Sequence, residues 1–258
     1  MIPLRDENPT ELTPYITIAL IVLNVLVWLY LEGGGLREDI LAETICRYGL
    51  IPAEVTGRTG PYRGVELGPG LLCPFGGLRG EAVLTSMFLH GSWLHLIFNM
   101  WFLWLFGNNV EDSMGHLRFL LFYLLVGVGA AGTHIASGPE SPIPTVGASG
   151  AISGVMGAYL VLYPRVRIHT LFIFLFFVRI IPLSAWFVLV YWFVLQVVSG
   201  ISIQAAARGA PAGGVAFWAH AGGFVAGVLL VKLFENRTLV EARKRKVKLS
   251  PWELPHRG

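Results

Sequence analysis

Long apolar runs without charged residues alternate with shorter polar stretches along most of the chain. Most of the runs hold about 20 residues, the length at which an α-helix crosses the hydrocarbon core of a bilayer. We therefore predict six membrane-spanning helices, at residues 15–31, within 82–110, and at 119–137, 146–163, 180–200 and 213–231. Pro182 lies near the start of the fifth span, where a helix tolerates proline. The predicted fold class is an all-α membrane protein built as a bundle of six transmembrane helices.

Two further segments do not fit a span. The run Ile168–Val178 is apolar but only 11 residues long, so we expect it to lie at the membrane interface or to re-enter the bilayer. Residues 32–81 are rich in glycine and proline and too charged for lipid, which predicts a long external first loop. No small-residue cleavage site follows the first span, which favours a retained helix over a signal peptide. We expect an N-terminal segment at 1–14, a membrane domain at 15–232 and a basic tail at 233–258.

Composition supports residence in a membrane. Hydrophobic residues make up 54% of the 258-residue chain and charged residues only 14%. A soluble domain usually carries about 25% charged residues. Because the chain has too few charges to cover a water-exposed surface, we expect a lipid bilayer to surround most of it.

Basic residues are concentrated near the end of the chain. Residues 241–249 read EARKRKVKL and hold five basic residues. Such a run also occurs in segments that bind nucleic acid, but beside an apolar helix it is typical of the cytoplasmic flank of a membrane span. We therefore expect no nucleic-acid partner. Since six spans return the chain to its starting side, both termini are predicted to be cytoplasmic, in a bacterial cytoplasmic membrane.

Both cysteines, Cys46 and Cys73, lie in the predicted first loop. No CxxC motif is present, so neither a zinc site nor a thioredoxin-like motif is indicated. If the loop faces an oxidising compartment, a disulfide that closes it is one hypothesis.

Few polar side chains lie within the predicted spans, and such groups are costly in lipid unless they serve a function. They are His90, His95, Asn99, His134, Ser149, Ser153, Gln196 and His220. We interpret His134, which lies near the end of its span, as an interfacial residue. Gln196 is interpreted as a hydrogen-bonding contact between helices.

Three of these residues allow two interpretations each. His95 and Asn99 are four positions apart, so they share one face of a helix and would be able to converge on one oxygen atom. Bonding to a neighbouring helix is the alternative. Ser149 follows a proline-containing loop and is expected to begin a helix, where backbone N–H groups and the helix dipole would stabilise an oxyanion. An ordinary helix cap is the alternative for this serine.

Glycines at a spacing of three or four positions indicate that the fourth and sixth spans approach closely. They are Gly150, Gly154, Gly157, Gly223 and Gly227. Close approach is needed to bring a serine hydroxyl within about 3 Å of an imidazole. Ser149 and His220 lie at similar depths in the external halves of their spans, so we predict that they meet.

Three motifs follow one another along the chain: HGSWLHLIFN at 90–99, GASG at 147–150 and AHAGGFVAG at 219–227. In this order they resemble motifs of the rhomboid family of intramembrane proteases. The stretches YGLIP at 48–52 and GNNVED at 107–112 look similar too. The resemblance covers most of the predicted membrane domain.

The resemblance implies that Ser149 is the nucleophile and His220 its general base, in a dyad without an acidic third member. His95 and Asn99 would form the oxyanion hole with the backbone N–H of Ser149, and Gly147 would serve close packing beside the nucleophile. No metal or cofactor is implied. The implied substrate is a transmembrane segment of another protein, cut near its external end.

The chain departs from the family pattern at two places. Glu81 and Ala82 stand where the family often has Trp-Arg. Ser153 stands where many members have a tyrosine that stacks on the catalytic histidine. The imidazole of His220 is therefore expected to be oriented in some other way.

Two other classes of function remain alternatives. A rhomboid-like protein that binds membrane segments without cutting them is expected to lack the serine or the histidine, and this chain keeps both. A transporter or channel usually shows internal repeats and charged or helix-breaking residues near the bilayer midplane, and the sequence shows neither. The sequence therefore favours a protease.

Overall fold

The computed structural model describes residues 1–60, 63–68, 71–174, 177–206 and 215–244. Within these residues the protein is mostly helical. The helices are α1 (Tyr15–Tyr30), α2 (Glu38–Tyr48), α3 (Pro52–Val55), α4 (Ala82–Thr85), α5 (Trp93–Phe102), α6 (Asn108–Met114), α7 (His116–Ser137), α8 (Ser149–Leu162), α9 (Ala185–Ala206), α10 (Phe217–Phe234) and α11 (Arg237–Lys244). The strands are β1 (Ile2–Asp6), β2 (Gly64–Gly68), β3 (Leu71–Pro74), β4 (Arg167–Phe174) and β5 (Phe177–Ser184). Three helices, α7, α9 and α10, are long and apolar enough to cross a membrane by length and composition.

The second apolar run does not form one straight helix. The chain leaves helical structure around His90, and α5 begins after Ser92, whose hydroxyl accepts the backbone N–H of His95 at 3.2 Å. This is an N-cap, which supplies a partner to an N–H group that the helix itself cannot satisfy. A π-helical segment, Leu103–Gly107, then joins α5 to α6. The run at 82–110 is therefore divided by its own polar residues.

The predicted fifth span begins too early. Residues 180–184 belong to β5, and the helix starts only at Ala185. The placement of Pro182 at a helix start is therefore wrong. β5 is the edge strand of a sheet with the order β1-β4-β5, and an edge strand tolerates a residue that has no N–H to donate. The short run at 168–178 lies in β4 and β5, which pair antiparallel.

Other predicted boundaries shift by a few residues. α7 starts at His116, directly after Gly115, whose φ of 78° ends the preceding helix. α8 starts at Ser149, three residues later than the predicted fourth span. The predicted start of the sixth span, Gly213, and residues 245–249 of the basic run lie outside the described residues.

Buried carboxylates organise the end of the bundle that contains the N-terminal strand. The carboxylate of Glu111 in α6 accepts the backbone N–H groups of Ile16 and Thr17 at 2.9 and 2.8 Å. α1 has no side-chain cap of its own, so Glu111 satisfies the free N–H groups at its start. Asp112 accepts the N–H groups of Glu11 and Leu12 in the same way, at 3.0 and 2.7 Å.

The first loop lies at the opposite end of the helix bundle, where a disulfide cross-links it. Cys46 of α2 and Cys73 of β3 form a disulfide, as hypothesised from the sequence. The side chain of Glu54 is buried, and its carboxylate accepts from Arg79 Nε at 2.9 Å. The loop is also joined to the segment that precedes α8 by a hydrogen bond from Thr56 Oγ1 to a backbone carbonyl at 2.6 Å. The first loop therefore has its own buried centre and rests on the residues that lead into α8.

Glycines bring α8 and α10 into direct backbone contact. A Cβ atom added at Gly223 would overlap the carbonyl oxygen of Gly150, and one added at Gly227 would overlap that of Gly154. At Gly157 an added Cβ would meet the carbonyl oxygen of Phe224. No side chain therefore fits between these two helices at their closest approach.

We expect Gly227→Ala to destabilise the protein by about 1–3 kcal/mol, because the added methyl group must push α8 and α10 apart. Gly132→Ala is the matched control, since Gly132 is exposed on α7 and an added Cβ meets nothing within 4 Å. The control should be neutral or more stable by about 0.5–1 kcal/mol, the helical preference for alanine. Thermal unfolding in detergent micelles measures both, and equal effects of the two changes would contradict the packing explanation.

Glu32, which follows α1, carries a fully buried carboxyl group. Its Oε1 accepts the backbone N–H of His90 at 2.8 Å. Burial raises the pKa of Glu32 from 4.5 to about 7, because a charged carboxylate is poorly solvated there. Between these two pH values the folded protein binds more protons at this group than the unfolded chain does. The contribution of Glu32 to the free energy of unfolding therefore falls as pH rises from about 4.5 to about 7.

We expect Glu32→Gln to remove this fall and to be more stable than the wild type above about pH 7, since a glutamine can still accept the His90 N–H without carrying charge. Unfolding measured in detergent from pH 5 to 8 tests the difference between the two proteins. Glu43→Gln, an exposed position on α2, is the control and should follow the wild type. A constant stability difference across this pH range would show that Glu32 is charged throughout.

Candidate active site

Ser149 and His220 meet where α8 and α10 begin. Ser149 is the first residue of α8, and His220 lies in the first turn of α10. Ser149 Oγ lies 2.7 Å from His220 Nε2, within hydrogen-bonding distance. The glycine contact described above brings the two helices close enough for this bond to form.

The turn before Ser149 needs glycine. Gly147 has a φ of 129°, which L-residues with a side chain rarely adopt, and a Cβ there would lie 2.8 Å from His95 Nε2. The N–H of Gly147 donates to the carbonyl of Ser86 at 2.9 Å. This bond anchors the turn to the chain just before α5. The backbone of the nucleophile loop therefore passes directly beside the imidazole of His95.

Ser149 and His220 line a cavity of about 610 Å³. Its other walls come from α5, from the segment before α8, from the first turns of α8, from α9 and from the residues before α10. The lining residues are Gly91, Ser92, His95, Phe98, Asn99, Phe102, Pro144, Thr145, Val146, Ile152, Ser153, Met156, Trp192, Val215 and Ala216. The cavity is thus mostly apolar, with a smaller share of polar groups that includes Ser149 and His220.

Both residues predicted as oxyanion donors line this cavity. The side chain of Asn99 is buried, and one of its amide N–H groups donates to the carbonyl of His95 at 2.8 Å. Because an amide nitrogen carries two hydrogens, one donor remains for another acceptor. His95 Nδ1 lies 3.4 Å from the backbone N–H of Gly91. The four predicted residues, Ser149, His220, His95 and Asn99, therefore surround one cavity.

Two further polar residues of the predicted spans make contacts at the site whose partners the sequence does not identify. His134 lies near the end of α7, and its Nε2 lies 2.8 Å from Thr145 Oγ1, in the segment that leads to Ser149. Gln196, interpreted from the sequence as a hydrogen-bonding contact between helices, joins α9 to α10, since its Oε1 lies 2.8 Å from His220 Nδ1. The one available signal was the presence of an amide in an otherwise uncharged apolar helix. That signal does not reveal which way the amide faces.

The hydroxyl of Ser153 donates to the carbonyl of Ser149 at 2.7 Å, one turn back along α8, and not to His220. Among the described residues, no group of three or more His, Cys, Asp or Glu side chains is arranged to hold a metal ion. The polar groups that line the cavity with Ser149 include the imidazole of His220 and the side chains of His95 and Asn99.

The sequence of the chain matches a known protein family. A family model described as the Rhomboid domain matches residues 79–237, more than half of the chain. RHOMBOID-like protein 6, mitochondrial, of Arabidopsis thaliana is 28% identical over 167 residues, which are 60% of this chain and 54% of that protein. Rhomboid protease GluP of Bacillus subtilis is 47% identical over 78 residues, 30% of this chain and 15% of that protein. Rhomboid protein 1, mitochondrial, of Saccharomyces cerevisiae is 28% identical over 152 residues, 57% of this chain and 40% of that protein.

The chain spans about half the length, or less, of these three relatives. Two of them are mitochondrial proteins, so the comparisons do not support the predicted bacterial cytoplasmic membrane. The apolar helices and the matched domain do support an integral membrane protein. Because the domain match extends over more than half of the chain, from α4 to α10, and includes both Ser149 and His220, this chain belongs to the rhomboid family.

Proposed function

We propose that the protein is an intramembrane serine endopeptidase of the rhomboid type, with Ser149 as nucleophile and His220 as general base. The observation that carries the proposal is the 2.7 Å separation of Ser149 Oγ and His220 Nε2 beside a cavity. An imidazole that accepts a serine hydroxyl activates that oxygen for attack on a carbonyl. The name of the Bacillus subtilis relative, a rhomboid protease, supports the same activity.

In the proposed reaction Ser149 Oγ attacks a peptide carbonyl carbon while its proton passes to His220 Nε2. The tetrahedral intermediate then breaks its C–N bond, and the imidazolium returns the proton to the leaving amine. Water, activated by the same imidazole, hydrolyses the acyl-enzyme and restores Ser149.

We propose that the negative oxygen of the intermediate is bound by Asn99, His95 and the backbone N–H of Ser149. Asn99 has one amide hydrogen left after bonding to the backbone of α5. The start of α8 adds the partial positive charge of a helix N-terminus. Donors that are already in place contribute most where charge develops in a low-dielectric site.

We propose six spans, formed by α1, the α5–α6 unit, α7, α8, α9 and α10, within a membrane domain at 15–232. α8 is only 14 residues long, or about 21 Å of helix. Every residue of α8 from Gly150 to Tyr159 is buried, so this helix faces protein and need not match the bilayer thickness. An even number of spans would leave both ends of the membrane domain on the same side. The position of Asn236 supports this, because its N–H, just after α10, donates to the Ser113 carbonyl at 2.8 Å beside the N-terminal segment.

The proposed substrate is a transmembrane segment of another protein. The cavity holds large apolar side chains, among them Phe98, Phe102 and Met156, next to the polar dyad. It lies at the end of the bundle where the first loop packs, so a bound segment would be cut near that end. The apolar walls would bind side chains of the segment, and the polar groups would bind its exposed peptide bond.

A fluorophosphonate probe should label the purified wild-type protein, and Ser149→Ala should abolish both labelling and cleavage of a membrane-embedded peptide. Ser202→Ala, on the exposed face of α9, is the matched control and should label like the wild type. Gel fluorescence after probe treatment measures labelling. A wild-type protein that neither reacts with the probe nor cleaves any such peptide would support a binder of membrane segments instead.

Asn99→Ala should lower turnover about 10²-fold, the scale of one lost oxyanion donor, while the protein still folds. Asn24→Ala is the control. Asn24 is also a buried asparagine whose amide donates to its own helix backbone, at 2.7 Å to the Leu20 carbonyl, but it does not line the cavity. Cleavage rates of the two variants in detergent give the comparison. Equal rates would remove Asn99 from the oxyanion hole.

A further inference from the structure

The imidazole of His220 is held at both of its nitrogens. Nε2 lies 2.7 Å from Ser149 Oγ, and Nδ1 lies 2.8 Å from Gln196 Oε1. A neutral imidazole has one N–H donor and one acceptor nitrogen. Because the side-chain oxygen of an amide can only accept, the hydrogen must be on Nδ1. Nε2 is then the acceptor, which is the form that can take a proton from the serine.

Helix α8 provides no second support for this ring, since the hydroxyl of Ser153 is bonded to the carbonyl of Ser149. The support comes from α9 instead. Trp192 lies one turn before Gln196 on the same face of α9. Its ring centroid is 5.8 Å from that of His220, with 37° between the planes. The two residues therefore hold the imidazole from one side.

We propose that Gln196 is the positioning residue of the dyad, whose side-chain oxygen selects the tautomer of His220 and keeps the ring directed at Ser149. The inference rests on the proposed protease function. Gln196 acts through His220 and does not touch the reacting carbonyl. A neutral amide orients the ring as the carboxylate of a serine-protease triad does, but it adds no negative charge to stabilise the imidazolium.

The contact should be stronger during reaction than at rest. When the Ser149 proton moves to Nε2, the ring becomes positively charged while the Nδ1 hydrogen stays between His220 and Gln196. A hydrogen bond from a charged donor is roughly twice as strong as a neutral one. An interaction that strengthens only in the transition state raises kcat and leaves KM unchanged. Loss of the hydrogen bond between Gln196 and His220 should therefore lower kcat and leave KM unchanged.

The test compares three variants in the full-length chain. Gln196→Met keeps a side chain of similar length but replaces the strong acceptor with a thioether, and kcat should fall about tenfold at constant KM, the effect of one hydrogen bond. Gln196→Glu keeps an oxygen at the same reach and should retain most of the activity. Gln204→Met, at an exposed site on the same helix, should match the wild type.

Wild-type kcat in Gln196→Met, or equal loss in the Glu and Met variants, would overturn the positioning role. Nitrogen-15 NMR of the His220 ring in the wild type provides a test that does not depend on how a variant folds. The Nδ1–H tautomer supports the inference, and the Nε2–H tautomer overturns it. If the wild type fails to react with a fluorophosphonate, the proposed protease function fails, whereas the tautomer measurement still reports on Gln196.

Discussion

The candidate site depends on the contact between the backbones of α8 and α10. Within lipid no hydrophobic effect drives helices together, so close contact between small residues takes its place. Gly223 and Gly227 face the carbonyl oxygens of Gly150 and Gly154 with no side chain between them. Because Ser149 begins one of these helices and His220 lies in the first turn of the other, the same contact determines how far apart the hydroxyl and the imidazole are.

Carboxylates buried at the ends of the bundle replace the water that the backbone would otherwise bind. Glu111 accepts the free N–H groups at the start of α1, and Glu32 accepts the N–H of His90 just before α5. In the first loop, Glu54 bonds to Arg79 and to the N–H of Gly76 at 2.6 Å. Unpaired backbone groups are expensive away from water. These acids therefore stabilise the places where helices begin and the chain turns.

The spacing of residues along a helix and their depth in the predicted spans support those parts of the prediction that depend on local sequence. Glycines at a spacing of three or four positions indicate that their helix packs closely against another helix, without saying which one. The position of Ser149 behind a proline-containing loop indicates that a helix starts there. An apolar run, in contrast, has the same composition whether it forms a buried helix or a strand. For this reason the sequence predicts a helix where the end of β5 lies, and the prediction for Pro182 is wrong.

The contact between Gln196 and His220 could not be derived from periodicity. A helical pattern says that Gln196 belongs to α9, but the rotation of α9 about its axis depends on packing against α10. That packing involves Gly200, where an added Cβ would lie 3.2 Å from the ring of Trp218. The bond from His134 to Thr145 depends in the same way on the path of a loop. The partners of Gln196 and His134 therefore depend on tertiary packing and not on helical periodicity.

The pairing of β1 with β4 has a consequence for the order of folding. Ile2 lies opposite Leu171, so the strand at the beginning of the chain has no partner until every helix up to α8 has been synthesised. Closing so long a loop is entropically unfavourable and slow compared with the formation of local contacts. The helix that begins with Ser149 can therefore pack before the N-terminal strand is in place, and the first residues of the chain are among the last to reach their final position.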